Sequence, residues 1–285
     1  MKAPRLFLIV ILVCMVAGGL LLWHERIHGG DGTLRAYMFD VGQGDGLLLV
    51  SPSGKQIVLD GGPDLSMLQH LGKEMPFFDR TIELMVLSHP HYDHLAAFPE
   101  ILKRYKVERV LITGARYDSN AYESFLSLVR RENAEVTLAD PAGDIDMGDG
   151  LKLDVLWPRE GLLGKSGDAN NTSVIVRAAF GSGSMLFTGD MEVPEEEEIL
   201  KSGQDIRADI LKVAHHGSKT SSSEEFLRAV DPELALVSVA KVNTYGHPSP
   251  EVVERYKELG IPLRMTMEEG TICLRVMRDG RRGDC

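Results

Sequence analysis

Cysteine is scarce in this chain. Cys14, Cys273 and Cys285 lie far apart, none belongs to a C-x-x-C pair, and no disulfide framework is implied. Cys273 is expected in a core strand and Cys285 as a free terminal thiol; such low usage does not exclude an extracytoplasmic location. An excess of positive charge is also missing. With 31 Lys and Arg against 42 Asp and Glu, the formal net charge is -11, a surface that repels nucleic acid unless metals or a local basic patch compensate. There is no internal repeat and no low-complexity tract. A second long hydrophobic run is lacking too, so nothing resembles a multi-span channel. What remains is globular: 44% hydrophobic and 26% charged residues over 285 positions, ample core for one large domain or two small ones.

The one long apolar run, Leu6 to Trp23, holds no charge; Lys2 and Arg5 precede it, and Glu25 and Arg26 follow. As a helix it spans about 27 Å, and the basic residues ahead of it place the N-terminus inside and the rest outside. We read residues 1–30 as a membrane anchor plus linker, Gly29 to Gly32 being flexible, and 31–285 as the folded domain. A cleaved signal peptide, with Ala17-Gly18-Gly19 as a weak processing site, is the alternative. Either way the domain is expected to be extracytoplasmic, with the membrane as a partner when the segment is retained.

The densest chemistry lies in Ser88-His89-Pro90-His91-Tyr92-Asp93-His94-Leu95. Ile82 to Leu87 reads as a buried strand, and Pro90 keeps the following residues extended. Residues two apart in an extended segment point the same way, so His89 and His91 can share one ion. Asp93 and His94 follow at the turn into a helix and can hold a second. Imidazole and carboxylate suit zinc or manganese. Downstream, Thr188-Gly189-Asp190 ends an apolar strand, and Ile210 to Ala214 delivers His215-His216-Gly217-Ser218 at another strand end. His247 sits in Tyr245-Gly246-His247-Pro248. Strands are expected over 34–40, 47–50, 56–59, 107–112, 135–139, 151–157, 172–179, 185–188, 209–214, 233–238, 262–267 and 271–277. Helices are expected over 99–105, 121–131, 194–201, 222–230 and 250–259, with a loop at 161–171. Hairpins mixed with strand–helix units suit two packed sheets with helices on both outer faces.

The H-x-H-x-D-H segment resembles the signature of the metallo-β-lactamase fold. Phe39-Asp40-Val41-Gly42-Gln43-Gly44-Asp45 and Leu59-Asp60-Gly61-Gly62 resemble the soluble hydrolase domain of ComEC-type competence proteins and the related choline-binding phosphodiesterases. This resemblance covers nearly all of Leu34 to Met277. It implies an α/β four-layer αββα sandwich after the N-terminal hydrophobic anchor, and two divalent metal ions, Zn or Mn. The implied ligands are His89, His91, Asp93, His94, a bridging Asp190 and His215. His216 is the alternative to His215, or a partner standing behind it. Asp60 is implied to support the metal loop without being a ligand. His247 is implied to donate to a phosphate oxygen or leaving group, Lys219 to offset charge there, and Asn171 or Ser173 to position the substrate. Two departures stand out. No histidine lies between His94 and Asp190, where Asn170-Asn171-Thr172-Ser173 falls instead. The first metal would then have His89, His91, Asp190 and solvent, and exchange more readily. ComEC sequences also often carry aspartate at the position of His91.

A bridged metal pair would lower the pKa of a shared water, with Asp93 orienting it and taking its proton. The leading expectation is a phosphodiesterase or nuclease acting on an anionic phosphodiester, DNA among them. Lys212, Lys219, Lys241 and Arg264 are read as basic residues favouring such a substrate. The alternatives are an acyl hydrolase of a lactam, lactone or thioester, and a metal-containing module that binds nucleic acid without cutting.

Overall fold

Runs of apolar residues assemble into two sheets. The chain forms β1 (Leu34–Met38), β2 (Gly46–Val50), β3 (Gln56–Gly61), β4 (Thr81–Leu87), β5 (Lys106–Ile112) and β6 (Glu135–Leu138). It continues with β7 (Ile145–Asp146), β8 (Leu151–Trp157), β9 (Ile175–Phe180), β10 (Gly183–Phe187), β11 (Ile210–Lys212), β12 (Leu234–Val237) and β13 (Leu263–Met265). The last strands are β14 (Ile272–Val276) and β15 (Arg282–Asp284). This computed structural model describes residues 3–27, 30–158 and 169–285, the side chains of 3–6 and 21–27 excepted. Most of the loop expected at 161–171, Gly29 of the expected linker, and the side chains at both ends of the expected anchor lie outside the described residues. Among the described residues the first sheet runs β15-β14-β1-β2-β3-β4-β5-β6 and the second β13-β12-β11-β10-β9-β8-β7. The two sheets come from the two halves of the chain, except that β14 returns to pair with β1, Leu34 opposite Val276.

The helices are α1 (Ala3–Ile27), α2 (Ser66–Glu74), α3 (Tyr92–Leu95), α4 (Phe98–Leu102), α5 (Asn120–Arg131), α6 (Val193–Ser202), α7 (Glu224–Val230), α8 (Pro250–Glu258) and α9 (Thr266–Glu269). Their placement follows from strand alternation. In β3, Ile57 and Leu59 face the second sheet, where they join Val155, Val176 and Phe187, while Val58 points outward. That outer face is covered by Met67, Leu71, Phe98, Ile101 and Phe125 from α2, α4 and α5. The second sheet's outer face is covered by Ile199, Phe226, Val252 and Tyr256 from α6, α7 and α8. The result is the four-layer αββα sandwich. Ser119, Ser223 and Ser249 each accept an N–H at the start of α5, α7 and α8, satisfying helix-end donors that would otherwise be orphaned.

Near the C-terminus the structure departs from expectation at two places. The strand expected to reach Met267 ends at Met265, and α9 begins at once. The cause is Thr266, buried, whose hydroxyl accepts the Val239 N–H at 2.9 Å and turns the chain. Cys285 is not free but bonded to Cys273. The hairpin of β14 and β15, with Leu274 opposite Asp284, brings these two positions together. Cys14, on α1, is exposed and unpaired. Phe7, Leu8, Leu12, Val13 and Met15 of α1 are exposed as well. Among the described residues, no helix is long and apolar enough to cross a membrane.

Candidate metal centre

The loops that leave β4, β10, β11 and β12 meet at one edge of the sandwich, joined by the glycine turn between β1 and β2. Pro90 and the extended backbone of His91 hold the first loop open until α3 begins at Tyr92, as the sequence suggested. Gly44 lets the glycine turn slide beneath this loop: a Cβ there would stand 2.3 Å from the Asp93 carbonyl oxygen. Asp190 follows Gly189, whose φ of 50° and crowding by Ser173 and Ser88 leave little room for a side chain. After β11, His215 and His216 both adopt left-handed backbone, at φ 50° and 53°. Such conformations cost about 1–3 kcal/mol each in non-glycine residues and persist where the surroundings impose them.

The convergence centres on one atom. Asp190 Oδ2 lies 3.2 Å from His94 Nε2, 3.5 Å from His216 Nε2, and 3.9 Å from both His89 Nε2 and His215 Nε2. Asp93 Oδ2 stands 3.8 Å from His94 Nε2 and 3.6 Å from His216 Nε2. His89 Nε2 and His91 Nδ1 are 3.0 Å apart. Donors around a tetrahedral ion with bonds of about 2.0–2.1 Å stand roughly 3.3 Å from one another, so this is the spacing a shared ion requires. Donor atoms of Asp93, His94, Asp190 and His216 all lie within 4.8 Å of one another.

The outer nitrogens explain why these lone pairs face inward. His94 Nδ1 donates to Asp60 Oδ2 at 2.8 Å, and His216 Nδ1 to the Ser238 carbonyl at 2.9 Å. The Ser88 hydroxyl donates to Asp60 at 2.6 Å and accepts from His89 Nδ1 at 3.1 Å. All three rings therefore keep Nε2 for the cluster, the arrangement that fixes a metal-binding tautomer. His94 Nε2 and His216 Nε2 are buried and make no hydrogen bond among the described residues. Orphaned polar atoms of this kind are costly, and a divalent ion satisfies them. The residues fit the expected metals.

The charges are strongly coupled. Burial opposes charging His94, but Asp190, Asp60 and Asp93 outweigh it and hold its pKa well above the ordinary histidine value. His216 is raised in the same way, by Asp190 and Asp45 against burial. Burial, then His94, pushes His89 well below. Asp190 would be raised by burial, yet His94 and His216 pull it well below the carboxylate range; Asp93 is lowered by the same pair.

The buried Lys212–Asp45 pair escaped sequence reading. Lys212 is buried, ion-paired with Asp45, donates to the Gly189 carbonyl at 2.9 Å, and stands 3.8 Å from Asp190 Oδ1. Asp190 thus shows one oxygen to the histidines and the other to a lysine. Lys212 cannot serve as a surface cation for substrate, and Arg264 is likewise engaged, by Glu269 and Asp284. A lone lysine inside the apolar run of β11 was the available signal. Asp45, Asp60 and His94 also form a tight acidic group, but Lys212 already supplies its cation.

The remaining expected residues are distributed as follows. Asp60 stands behind His94. Ser173 is buried and accepts the Asp190 N–H at 3.1 Å, which places it behind the cluster. Asn171 takes the Trp157 indole N–H on its carbonyl at 3.1 Å. His215 is on the open side, its Nδ1 3.4 Å from Glu192, and the His247 ring lies 5.7 Å from its own. Lys219 is exposed. His216, rather than His215, belongs to the four-residue group.

Two outcomes follow from the buried charges. Because His94 and His216 hold protons above the ordinary histidine value, metal binding at pH 7 must displace them. Calorimetry in buffers of differing ionisation enthalpy should report release of about one to two protons, with affinity still rising above pH 6.5; heats independent of the buffer would contradict this. Lys212→Met leaves Asp45 buried and unpaired, and should lower urea-unfolding stability by roughly 3–5 kcal/mol. Adding Asp45→Asn should restore most of that stability while metal affinity stays about 10- to 100-fold down. A double variant with wild-type metal affinity would show the pair to be structural only.

The profile of the metallo-beta-lactamase superfamily matches residues 40–241. The chain is 31% identical over 252 residues to ComE operon protein 3 of Bacillus subtilis (strain 168), covering 82% of this chain and 32% of that protein. It is 30% identical over 249 residues to Recombination protein 2 of Haemophilus influenzae, covering 84% of this chain and 28% of that protein. It spans about a third of the length of these relatives. The crystal structure of the metallo-beta-lactamase fold protein YhfI from Bacillus subtilis superposes with a TM-score of 0.57 at 12% identity, over 85% of this chain and 99% of that one, a likeness of fold. The chain belongs to the metallo-beta-lactamase superfamily.

Proposed function

We propose that this chain is a phosphodiesterase that uses two divalent ions, zinc or manganese, and works at the extracytoplasmic face of a membrane. The observation that carries the hydrolytic reading is the convergence of four imidazoles on Asp190 Oδ2, beside an Asp93 side chain that is 35% exposed. His89 and His91 on one side, and Asp93, His94 and His216 on the other, would hold the metals, with Asp190 between them and His215 at the open edge. Bound there, the ions would supply Lewis acidity and lower the pKa of water.

The chain's own groups do the rest. Asp93, kept ionised by His94 and His216, reaches from the buried cluster to solvent, where it can orient water and accept its proton. Burial, then His215 and His216, lower the His247 pKa, so near neutral pH it acts as a neutral hydrogen-bond donor to a substrate oxygen. His247 Nδ1 makes no hydrogen bond among the described residues.

Similarity to a protein named for recombination, and to one named for the ComE operon, supports a nucleic acid phosphodiester over a lactam or lactone. The net charge of -11, with Lys212 and Arg264 already paired, supports a short or end-on contact over a long polymer track. The exposed apolar face of α1 supports an anchor, and the Cys273–Cys285 bond supports an oxidising compartment.

Protein loaded with Mn²⁺ or Zn²⁺ should cleave an aryl phosphodiester and single-stranded oligonucleotides, and Asp93→Ala should lower kcat/KM by about 10²- to 10⁴-fold. Turnover of nitrocefin or a lactone with no phosphodiester cleavage would replace this reading by the acyl hydrolase. Metal-dependent retention of uncut DNA would replace it by the binding module.

A further inference from the structure

Aromatic residues make up 6% of the chain, and most are buried. Outside α1, the described aromatics among the exposed large hydrophobics are Phe77, Phe78, Tyr92 and Tyr245. Phe77 and Phe78 pack edge to face on each other, ahead of β4 and at the far end of that strand from the metal loop. The other two border the site. Tyr92 lies between His91 and Asp93 and is 65% exposed; Tyr245 is 70% exposed. Tyr92 opens α3, after β4 of the first sheet, and Tyr245 lies in the loop after β12 of the second, so each belongs to a segment that carries site residues.

The Tyr245 loop is held firmly. The Asn243 side chain donates to the Ala240 carbonyl at 3.1 Å and the His247 carbonyl at 2.8 Å, and accepts the His247 N–H at 3.0 Å. The Ser249 N–H donates to the Gly217 carbonyl at 2.8 Å, tying the loop to the turn that carries His215 and His216. On this frame the Tyr245 ring lies nearly parallel to His247, 17° between planes and 5.8 Å between centroids, and His247 in turn meets His215 edge to face. The tyrosine ring thus lies beside His247 at the border of the site, and most of it meets solvent. Exposing a large apolar ring in this way does nothing for the core. A rigid aromatic side chain already ordered before binding gives contact area at low entropic cost.

We infer that Tyr245 and Tyr92 are stacking platforms for the bases on either side of the phosphodiester that enters the site. The ligand class is single-stranded nucleic acid with splayed bases; in a duplex the bases stack on each other and their faces are closed. Stacking is tolerant of sequence and needs no cationic track, which suits this acidic chain. The inference rests on the phosphodiesterase reading.

The test uses the full metal-loaded chain and a fluorescent single-stranded oligonucleotide, intact or with abasic sites flanking its central linkage. Binding is followed by anisotropy and cleavage by initial rate. Tyr245→Ala should weaken binding of the intact strand by about 5- to 150-fold, and Tyr245→Phe should rescue it. On the abasic strand, Tyr245→Ala should add no further loss, and Tyr92→Ala should behave alike at its own flank. Melting temperature and metal content confirm that the variants stay folded and loaded. Equal affinity of the wild type for both strands, or an equal loss on both with Tyr245→Ala, would overturn the inference. Base-dependent binding without cleavage would leave it standing and remove the phosphodiesterase reading; cleavage without base dependence would do the reverse.

Discussion

Asp190, buried with one oxygen facing four histidines and the other facing Lys212, sets the terms for everything around it. A carboxylate removed from water is tolerated only when surrounding charges and donors replace its hydration. Here they come from every part of the fold. Asp60 at the end of β3 fixes His94, β4 brings His89, β11 brings Lys212, and Asp45 from the glycine turn pairs with that lysine. The two sheets therefore share one charge network where their strand ends meet. Lys212 and Asp45 form its floor; Asp93, His215 and His247 form the edge open to solvent.

Backbone conformation shows how firmly the fold imposes this arrangement. Asp60, His215 and His216 all have left-handed backbone at the points where they contribute. Asp60 sits at a register shift near the end of β3, and the two histidines follow β11, where the His215 N–H donates to the Gly189 carbonyl at 3.1 Å. The two histidines are consecutive, and their turn aims one ring into the buried group and the other to the open side. A regular strand would also send neighbouring side chains in opposite directions, but it could not bring both to a single carboxylate oxygen. The conformational cost is offset by the packing of Gly217 against Pro248 and by the hydrogen bond that His216 Nδ1–H donates to the Ser238 carbonyl.

Local features of this molecule are legible in its sequence, and pairings over long separations are not. The H-x-H-x-D-H loop could be read because strand, proline and helix start lie within a few residues and each has its own signal. Strand alternation and the apolar faces of α5 and α8 likewise place the four layers. The Cys273–Cys285 bond could not be read, because it depends on β15 folding back on β14, and β15 is short, polar and exposed. Lys212 looked like one more basic residue until burial beside Asp45 showed it to be internal. That His216, with His215 beside it on the open side, joins the buried group follows from left-handed backbone at both residues, which no residue type announces. Thr266 ended a strand early through a hydrogen bond to a residue 27 positions away.

The account depends on this network holding metal. Anomalous diffraction from crystals grown with manganese or zinc, measured at the absorption edge of each, tests it most directly. The expected result is peaks within bonding distance of Asp190 Oδ2, one of them also within bonding distance of His94 and His216. Well-ordered crystals of folded protein with no anomalous peak at Asp190, or with the ion between Asp45 and Asp60 and Lys212 displaced, would contradict it.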